Sequence, residues 1–121
     1  MKITILGCGT SVGVPSLGIL GWGKCDPKNP KNRRQRSSVL IQNNGINILI
    51  DAGPDIRNQL LKTEIDKIDA VLITHTHSDH ISGLPELRPF YFGERKNIPI
   101  YGNSKTLSDL NKMFDYLFES L

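Results

Sequence analysis

A chain of 121 residues is long enough for one domain with a hydrophobic core, and 38% hydrophobic with 22% charged residues is typical of a globular protein. The formal net charge is +3, and the basic residues are concentrated in one segment. No apolar run approaches the ~20 residues that cross a bilayer, and no signal-peptide cleavage pattern follows Met1. We therefore expect a cytoplasmic protein.

The N-terminal part predicts a short strand followed by a long loop. The run Ile3–Leu6 is rich in β-branched residues and ends at glycines, as a strand does. Residues 7–32 are rich in Gly, Pro and Asn without clear periodicity, which is typical of a functional or mobile loop. Cys8 and Cys25 are too few for a disulfide framework in a chain without an export signal, so we expect free thiols.

Residues 24–36 form a basic tract in which the acid Asp26 is outnumbered by basic side chains. Such a tract could attract a phosphate-bearing substrate or nucleic acid, although a solvated loop explains it equally well. It lacks interleaved aromatic residues, which argues against single-stranded nucleic acid. The basic residues are Lys24, Lys28, Lys31, Arg33, Arg34 and Arg36.

The middle of the chain predicts a β-hairpin. Ser38–Ile41 and Ile46–Ile50 are β-rich runs, and the Asn44-Gly45 dipeptide between them is the one that a tight hairpin turn prefers. A helix is expected next, with Pro54 in its first turn and Asp55 complementing its positive end.

Asp69–Thr74 is predicted to be a strand, and its uninterrupted apolar run indicates burial on both faces. Leu84–Phe92 is expected to be helical in part, and Ile98–Tyr101 to be a short strand. Ser104–Phe118 has apolar residues at helical spacing, with Asn103 or Ser104 as the cap. This order predicts an α/β fold in which helices cover a mixed sheet on one side.

The three histidines of the chain lie within six residues, directly after the predicted strand, with an aspartate among them. On extended backbone His75 and His77 point the same way and can converge on one cation, and the turn that follows brings Asp79 and His80 to a neighbouring position. Imidazole and carboxylate ligands suit zinc, and also manganese or iron. The alternative is a surface loop in which these residues only form hydrogen bonds.

The pattern His75-x-His77-x-Asp79-His80 after an apolar strand, with Asp51-Ala52-Gly53 upstream, resembles the metallo-β-lactamase superfamily. Residues 6–15 and 32–38 resemble the branch of phosphodiesterases that act on cyclic phosphates in phosphonate breakdown, and more loosely the endonucleases that trim transfer-RNA 3′ ends. The resemblance implies that residues 1–121 are the N-terminal half of an αββα sandwich, without a separate second domain.

The resemblance further implies that two divalent ions bind here, the first to His75 and His77 and the second to Asp79 and His80. Asp79 is also the candidate catalytic residue, because it could orient the attacking water. Asp51 is similar to the family acid that orients the metal ligands from the preceding strand end. A purely structural role for Asp51, ending a strand, is an equally open interpretation.

These residues predict a metal-dependent hydrolase that acts on phosphodiesters through a metal-activated hydroxide. The candidate substrate-binding residues are Arg33, Arg34 and Arg36, which could position a phosphate group. An RNA-processing endonuclease, or a thioesterase or glyoxalase-like hydrolase, would share the same histidine motif, and the motif does not choose among them.

Two departures from the family pattern suggest an incomplete site. The cyclic-phosphate enzymes have a cluster of cysteines that resembles a structural zinc site, whereas residues 22–27 contain only Cys25, and one thiolate cannot build such a site. The family also takes further ligands from later in the chain, whereas no histidine follows His80 here. Asp109 and Asp115 have the spacing of an exposed helix face, which disfavours a ligand role. We expect either a missing C-terminal half or a non-catalytic half-domain that hides its uncovered sheet face in a homodimer or against another partner.

Overall fold

The computed structural model describes residues 1–118 and contains one mixed sheet in the order β1-β2-β3-β4-β5. The strands are β1 (Lys2–Gly7), β2 (Ser38–Asn43), β3 (Ile46–Ile50), β4 (Ala70–Leu72) and β5 (Ile100–Tyr101). The helices are α1 (Ile56–Leu61), α2 (Ser78–Ile81), α3 (Arg88–Glu94) and α4 (Ser104–Met113), with single 3₁₀ turns at Gly18–Leu20, Pro30–Asn32, Leu84–Leu87 and Asp115–Leu117.

Strands β1, β2 and β3 are antiparallel neighbours, whereas β3, β4 and β5 run parallel. The predicted hairpin is confirmed, because Asn44 and Gly45 both have positive φ, at 50° and 78°, as a tight turn between β2 and β3 requires. The parallel pairing of β3 with β4 needs a crossover, which α1 provides. The carboxyl ends of β3 and β4 therefore lie at the same edge of the sheet.

One face of the sheet is covered by the helices and forms the core. The pairing aligns Leu40 with Leu49, and Leu49 with Val71, and all of these side chains are fully buried. The helical side chains that pack on this face are also buried; they are Ile56, Leu60, Leu84, Leu87 and Leu110. The predicted α/β fold with helices on one side is confirmed.

The other face, which we call the open face, is apolar but carries no helix among residues 1–118. The pairing places nine side chains on it: Ile3, Ile5, Val39, Ile41, Ile48, Ile50, Ala70, Leu72 and Tyr101. Ile3 is 59% and Ile5 60% exposed, while Ala70 and Leu72 are partly exposed. The prediction that β4 is buried on both faces is therefore wrong, because Val71 is its only buried residue.

The C-terminal helix is shorter than predicted. Asn103 caps α4 by accepting a hydrogen bond from the Thr106 N–H at 2.8 Å, which confirms one of the two predicted caps. The helix stops at Met113 because Phe114 leaves helical geometry, at φ −128° and ψ 47°. Residues 119–121 lie outside the described residues. In residues 1–118 no helix has both the length and the apolar character needed to span a membrane.

Helix α1 begins at Ile56, so Pro54 lies before the helix and not in its first turn as predicted. Asp55 occupies the cap position, yet its carboxylate makes no capping hydrogen bond. It accepts three hydrogen bonds from Arg36 instead, from Nε at 2.6 Å, from Nη2 at 3.0 Å and from the backbone N–H at 2.9 Å. Arg36 thereby fastens the loop before β2 to the start of α1.

Candidate metal-binding site

The histidine motif lies at the carboxyl edge of the parallel strands. The chain leaves β4 after Leu72, stays extended and enters the short helix α2 at Ser78. The loop after β3 packs directly on α2, because the Ala52 N–H donates to the His80 carbonyl oxygen at 2.8 Å. A Cβ at Gly53 would collide with the carbonyl oxygen of Asp79, so only glycine permits this approach.

The three imidazole rings lie side by side. The ring centroid of His75 is 4.6 Å from that of His77 and 4.1 Å from that of His80. Oδ2 of Asp79 lies 3.0 Å from Nε2 of His80. The structure thus brings the four predicted ligands together in one cluster, in which His77 is exposed and the other three are partly buried.

Asp51 contacts this cluster through His80. The residue is 4% exposed, and its backbone has a positive φ of 61°. Oδ2 lies 2.6 Å from Nδ1 of His80, and Oδ1 accepts a hydrogen bond from the Thr74 N–H at 2.8 Å. The Ser38 hydroxyl donates to the Asp51 carbonyl oxygen at 2.8 Å. These contacts put Asp51 beside His80, and its role as a ligand-orienting acid stays a prediction.

The hydrogen-bond partners of the His80 ring indicate which of its nitrogens carries the hydrogen and therefore what could bind to the other. A carboxylate only accepts, so Nδ1 of His80 must carry the hydrogen that it shares with Asp51. A neutral ring then has only a lone pair on Nε2, which faces another electron-pair donor, Asp79, at 3.0 Å. A cation or a proton between these atoms relieves the repulsion. A histidine that donates Nδ1–H to a carboxylate is also the usual arrangement of a metal ligand.

The donor types therefore fit a divalent metal, although the cluster is not a finished coordination sphere. Within residues 1–118 no three His, Cys, Asp or Glu side chains are already arranged to hold one ion. The assignment of two ligands to each of two ions stays a prediction.

The three arginines of the basic tract have different surroundings. Arg33 is exposed, with its guanidinium 5.1 Å from the centre of the Trp22 ring. Arg34 is exposed and donates to the Cys8 sulfur at 2.8 Å. Arg36 is occupied by Asp55 and has little freedom to bind a substrate. Cys8 and Cys25 are both free thiols, as predicted.

The ion pair between Arg36 and Asp55 lies beside the site, since the Cβ of Arg36 is a near neighbour of Gly53. Partial burial on its own would raise the pKa of the Asp55 carboxyl. The hydrogen bonds from the Arg36 side chain and backbone, together with its positive charge, outweigh this and lower the pKa below the usual 3.8. Asp55 is therefore held as a carboxylate.

Two contributors to the site were missed at the sequence level. Thr74 lies between β4 and His75, and its hydroxyl contacts both Asp51 and His75. The sequence feature that could have indicated Thr74 is a hydroxyl residue directly before the first histidine. The pairing of Asp55 with Arg36 spans 19 positions, and no local pattern indicates it.

A family model described as a beta-lactamase superfamily domain matches residues 46–121. The octanoyltransferase of Porphyromonas gingivalis is 38% identical over 119 residues, covering 98% of this chain and 24% of that protein. A ribonuclease Z of Methanococcus maripaludis is 28% identical over 125 residues, covering 100% of this chain and 35% of that protein.

Solved structures show the same fold. A diphosphatase from the PhnP family is 43% identical with a TM-score of 0.87, covering 96% of this chain and 46% of that one. Zinc-bound PqqB from Methylobacterium extorquens is 27% identical with a TM-score of 0.74, covering 98% of this chain and 43% of that one. The chain thus spans less than half the length of each of these four relatives.

The matched residues 46–121 include β3, β4 and β5, the Asp51 loop and the histidine cluster. The resemblance inferred from the motif is confirmed: the chain belongs to the metallo-β-lactamase superfamily.

Proposed function

We propose that this chain supplies the metal-binding part of a hydrolase site that acts on phosphodiesters, and that zinc is its metal. The observation that carries the proposal is the orientation of His80. Asp51 accepts a hydrogen bond from Nδ1–H of His80, which directs the lone pair of Nε2 at the space shared with Asp79. Manganese and iron accept the same ligands, so the choice of zinc rests on ligand type and on zinc-bound PqqB.

The chemistry follows from what surrounds that space. Bound divalent ions neutralise charge on a phosphoryl oxygen and make a nearby water more acidic. Asp79 lies at the edge of the cluster, where its carboxylate can orient a water and accept its proton. His77 is the most exposed of the three histidines. Asp51 stays buried and keeps the His80 ring in place.

Phosphodiesters are favoured over thioesters by charge and by similarity. Arg33 and Arg34 are exposed in a basic tract, where they can attract an anionic substrate. A diphosphatase and a ribonuclease Z are among the similar proteins, and both names refer to phosphate-containing substrates. Ribonuclease Z also keeps nucleic acid open as the substrate class.

The site is proposed to need further ligands from outside residues 1–121. No histidine follows His80 in the sequence. Asp109 is engaged with Lys105 at 2.8 Å on α4, and Asp115 accepts a hydrogen bond from the Tyr116 N–H at 2.8 Å. We expect zinc binding without efficient turnover.

Zinc titration of the 121-residue protein, verified by intact mass, tests the proposal. We expect saturable zinc binding by calorimetry that His77→Ala weakens and Asp66→Asn, an exposed control, leaves unchanged. Absence of binding would overturn the metal centre. Efficient hydrolysis of bis(p-nitrophenyl) phosphate by this protein would instead overturn the need for further ligands.

Dimethyl phosphate tests the substrate class without requiring turnover. In the zinc-loaded protein we expect it to shift the backbone NMR signals of residues 75–80. A neutral thioester at the same concentration is expected to leave them in place. The opposite result would favour a thioesterase or a glyoxalase-like hydrolase.

A second candidate, a non-catalytic metal-binding half-domain that forms a homodimer, is favoured by the open face. Nine apolar side chains on one sheet surface need a cover in water. If a second copy provides it, light scattering will give a dimer that Ile48→Lys converts to a monomer. Ile19→Lys, on a fully exposed loop residue, is the matched control. A wild-type monomer would reject the homodimer.

A further inference from the structure

We propose that Thr74 is a positioning residue of this site, whose hydroxyl connects Asp51 to His75 and fixes the ring nitrogen that His75 offers to a metal. The inference rests on the proposed metal centre. It assigns a role to a side chain that lies outside the histidine motif.

The contacts of Thr74 form a short chain of hydrogen bonds. Its Oγ1 atom lies 2.6 Å from Oδ2 of Asp51 and 2.9 Å from Nδ1 of His75. Its backbone N–H donates to Oδ1 of the same carboxylate at 2.8 Å. Thr74 therefore contacts both oxygens of Asp51, so rotation of either side chain would break at least one of these bonds.

The directions of these bonds follow from the number of hydrogens. A hydroxyl has one hydrogen to donate, and the Asp51 carboxylate can only accept. Oγ1 must therefore give its hydrogen to Asp51 and accept from His75. That leaves Nδ1 of His75 as the protonated nitrogen and Nε2 as the one with the free lone pair.

One carboxylate thus sets the orientation of two histidines. Asp51 contacts Nδ1 of His80 directly, and it reaches Nδ1 of His75 through the Thr74 hydroxyl. Both rings are left with Nε2 as their donor for a metal, and their centroids are 4.1 Å apart. Groups that hold the second nitrogen of a ligand histidine in this way commonly change metal affinity by about 10- to 100-fold.

The substitution Thr74→Val isolates the hydroxyl, because valine keeps the shape and the backbone N–H. Thr74 is exposed, so valine leaves no buried cavity. Thr74→Ser restores the hydroxyl and is expected to rescue the wild-type behaviour. Thr76→Val is a matched control, since the described structure gives the Thr76 side chain no hydrogen bond and it lies next to the same histidine.

Nitrogen NMR of the metal-free protein tests the inference directly. In the wild type and in the Thr74→Ser and Thr76→Val variants, we expect the neutral His75 ring to carry its hydrogen on Nδ1. In Thr74→Val we expect a mixture of the two neutral forms. If neutral His75 of Thr74→Val still carries its hydrogen on Nδ1 alone, the proposed role of the hydroxyl is wrong. This outcome does not depend on whether the protein binds zinc.

Zinc affinity gives the second readout. We expect Thr74→Val to weaken zinc binding about 10-fold and Thr74→Ser to restore it. Equal affinities in wild type and Thr74→Val would reject the positioning role. A wild-type protein that binds no zinc would instead reject the proposed function, and the NMR result on His75 would still decide the hydrogen-bond chain.

Discussion

Oδ2 of Asp51 lies 2.6 Å from Nδ1 of His80, although 29 positions separate the two residues in the sequence. The contact arises because β3 and β4 run parallel and end at the same edge of the sheet. Asp51 follows the first of these strands, and the histidine motif follows the second. The topology therefore brings Asp51 and the candidate ligands to one place.

Replacing Asp51 by Asn is predicted to weaken zinc binding roughly 10- to 100-fold, because an amide accepts only through its single oxygen. In the place of Oδ2 the NH₂ group would oppose the Nδ1–H of His80, and in the place of Oδ1 it would oppose the Thr74 N–H, so one of these hydrogen bonds would be lost. Competition with a chromophoric chelator measures the affinity. Asp66→Asn removes the same charge at an exposed position, and an equal loss there would show that only net charge matters.

The Asp55–Arg36 pair is predicted to stabilise the fold by on the order of 1 kcal/mol near neutral pH, since both side chains are partly exposed. The pKa of Asp55 is lowered in the folded state, so its contribution is present above the usual value of 3.8 and is lost as the pH falls through the lower folded value. Urea unfolding of wild type and Asp55→Asn should differ at about pH 6, and the difference should shrink as the pH falls below 3.8. A difference that grows on acidification would contradict this sign.

Gly53→Ala is predicted to destabilise the protein by about 1–3 kcal/mol, as expected of overpacking. The added methyl group would push the loop after β3 away from the Asp79 carbonyl and disturb the cluster. Gly93→Ala in α3 is the control, because no atom lies near its Cβ, and alanine there should be neutral or stabilising. Thermal unfolding measures both variants, and equal melting temperatures would refute the close approach.

We predict that replacing Arg34 affects phosphate binding, whereas replacing Arg36 affects the stability of the fold. Arg34→Ala should reduce the affinity of the zinc-loaded protein for dimethyl phosphate while leaving urea unfolding nearly unchanged, since Arg34 is exposed. Arg36→Ala should lower the free energy of unfolding, because it leaves Asp55 without its partner. If Arg34→Ala leaves phosphate binding unchanged, the basic tract has no part in substrate binding.

Local patterns were enough to predict most of the architecture. Asn44-Gly45 indicated the turn of the hairpin because both residues tolerate positive φ, and that requirement is local. The histidine motif indicated the cluster because its members lie within six residues. The same reasoning failed at Phe114, where backbone geometry ends α4 although the apolar spacing continues.

Features that depend on distant partners could not be predicted in this way. Asp55 has the sequence position of a helix-capping residue, yet its carboxylate binds Arg36 from a separate loop. The apolar run of β4 led to the wrong prediction of burial on both faces, because a sequence pattern does not say whether polypeptide covers both. The Thr74 hydroxyl acts through two partners, and only the folded chain brings Asp51 within reach.

The left-handed backbone of Asp51 has a consequence for protein engineering. A non-glycine residue at a φ of 61° is strained, so a design procedure that rewards only thermal stability would favour glycine or asparagine there. Either choice would relax the backbone and remove the carboxylate that accepts hydrogen bonds from Thr74 and His80. Stabilised versions of this chain should therefore be selected with Asp51 held constant, and the extra stability sought in other parts of the fold.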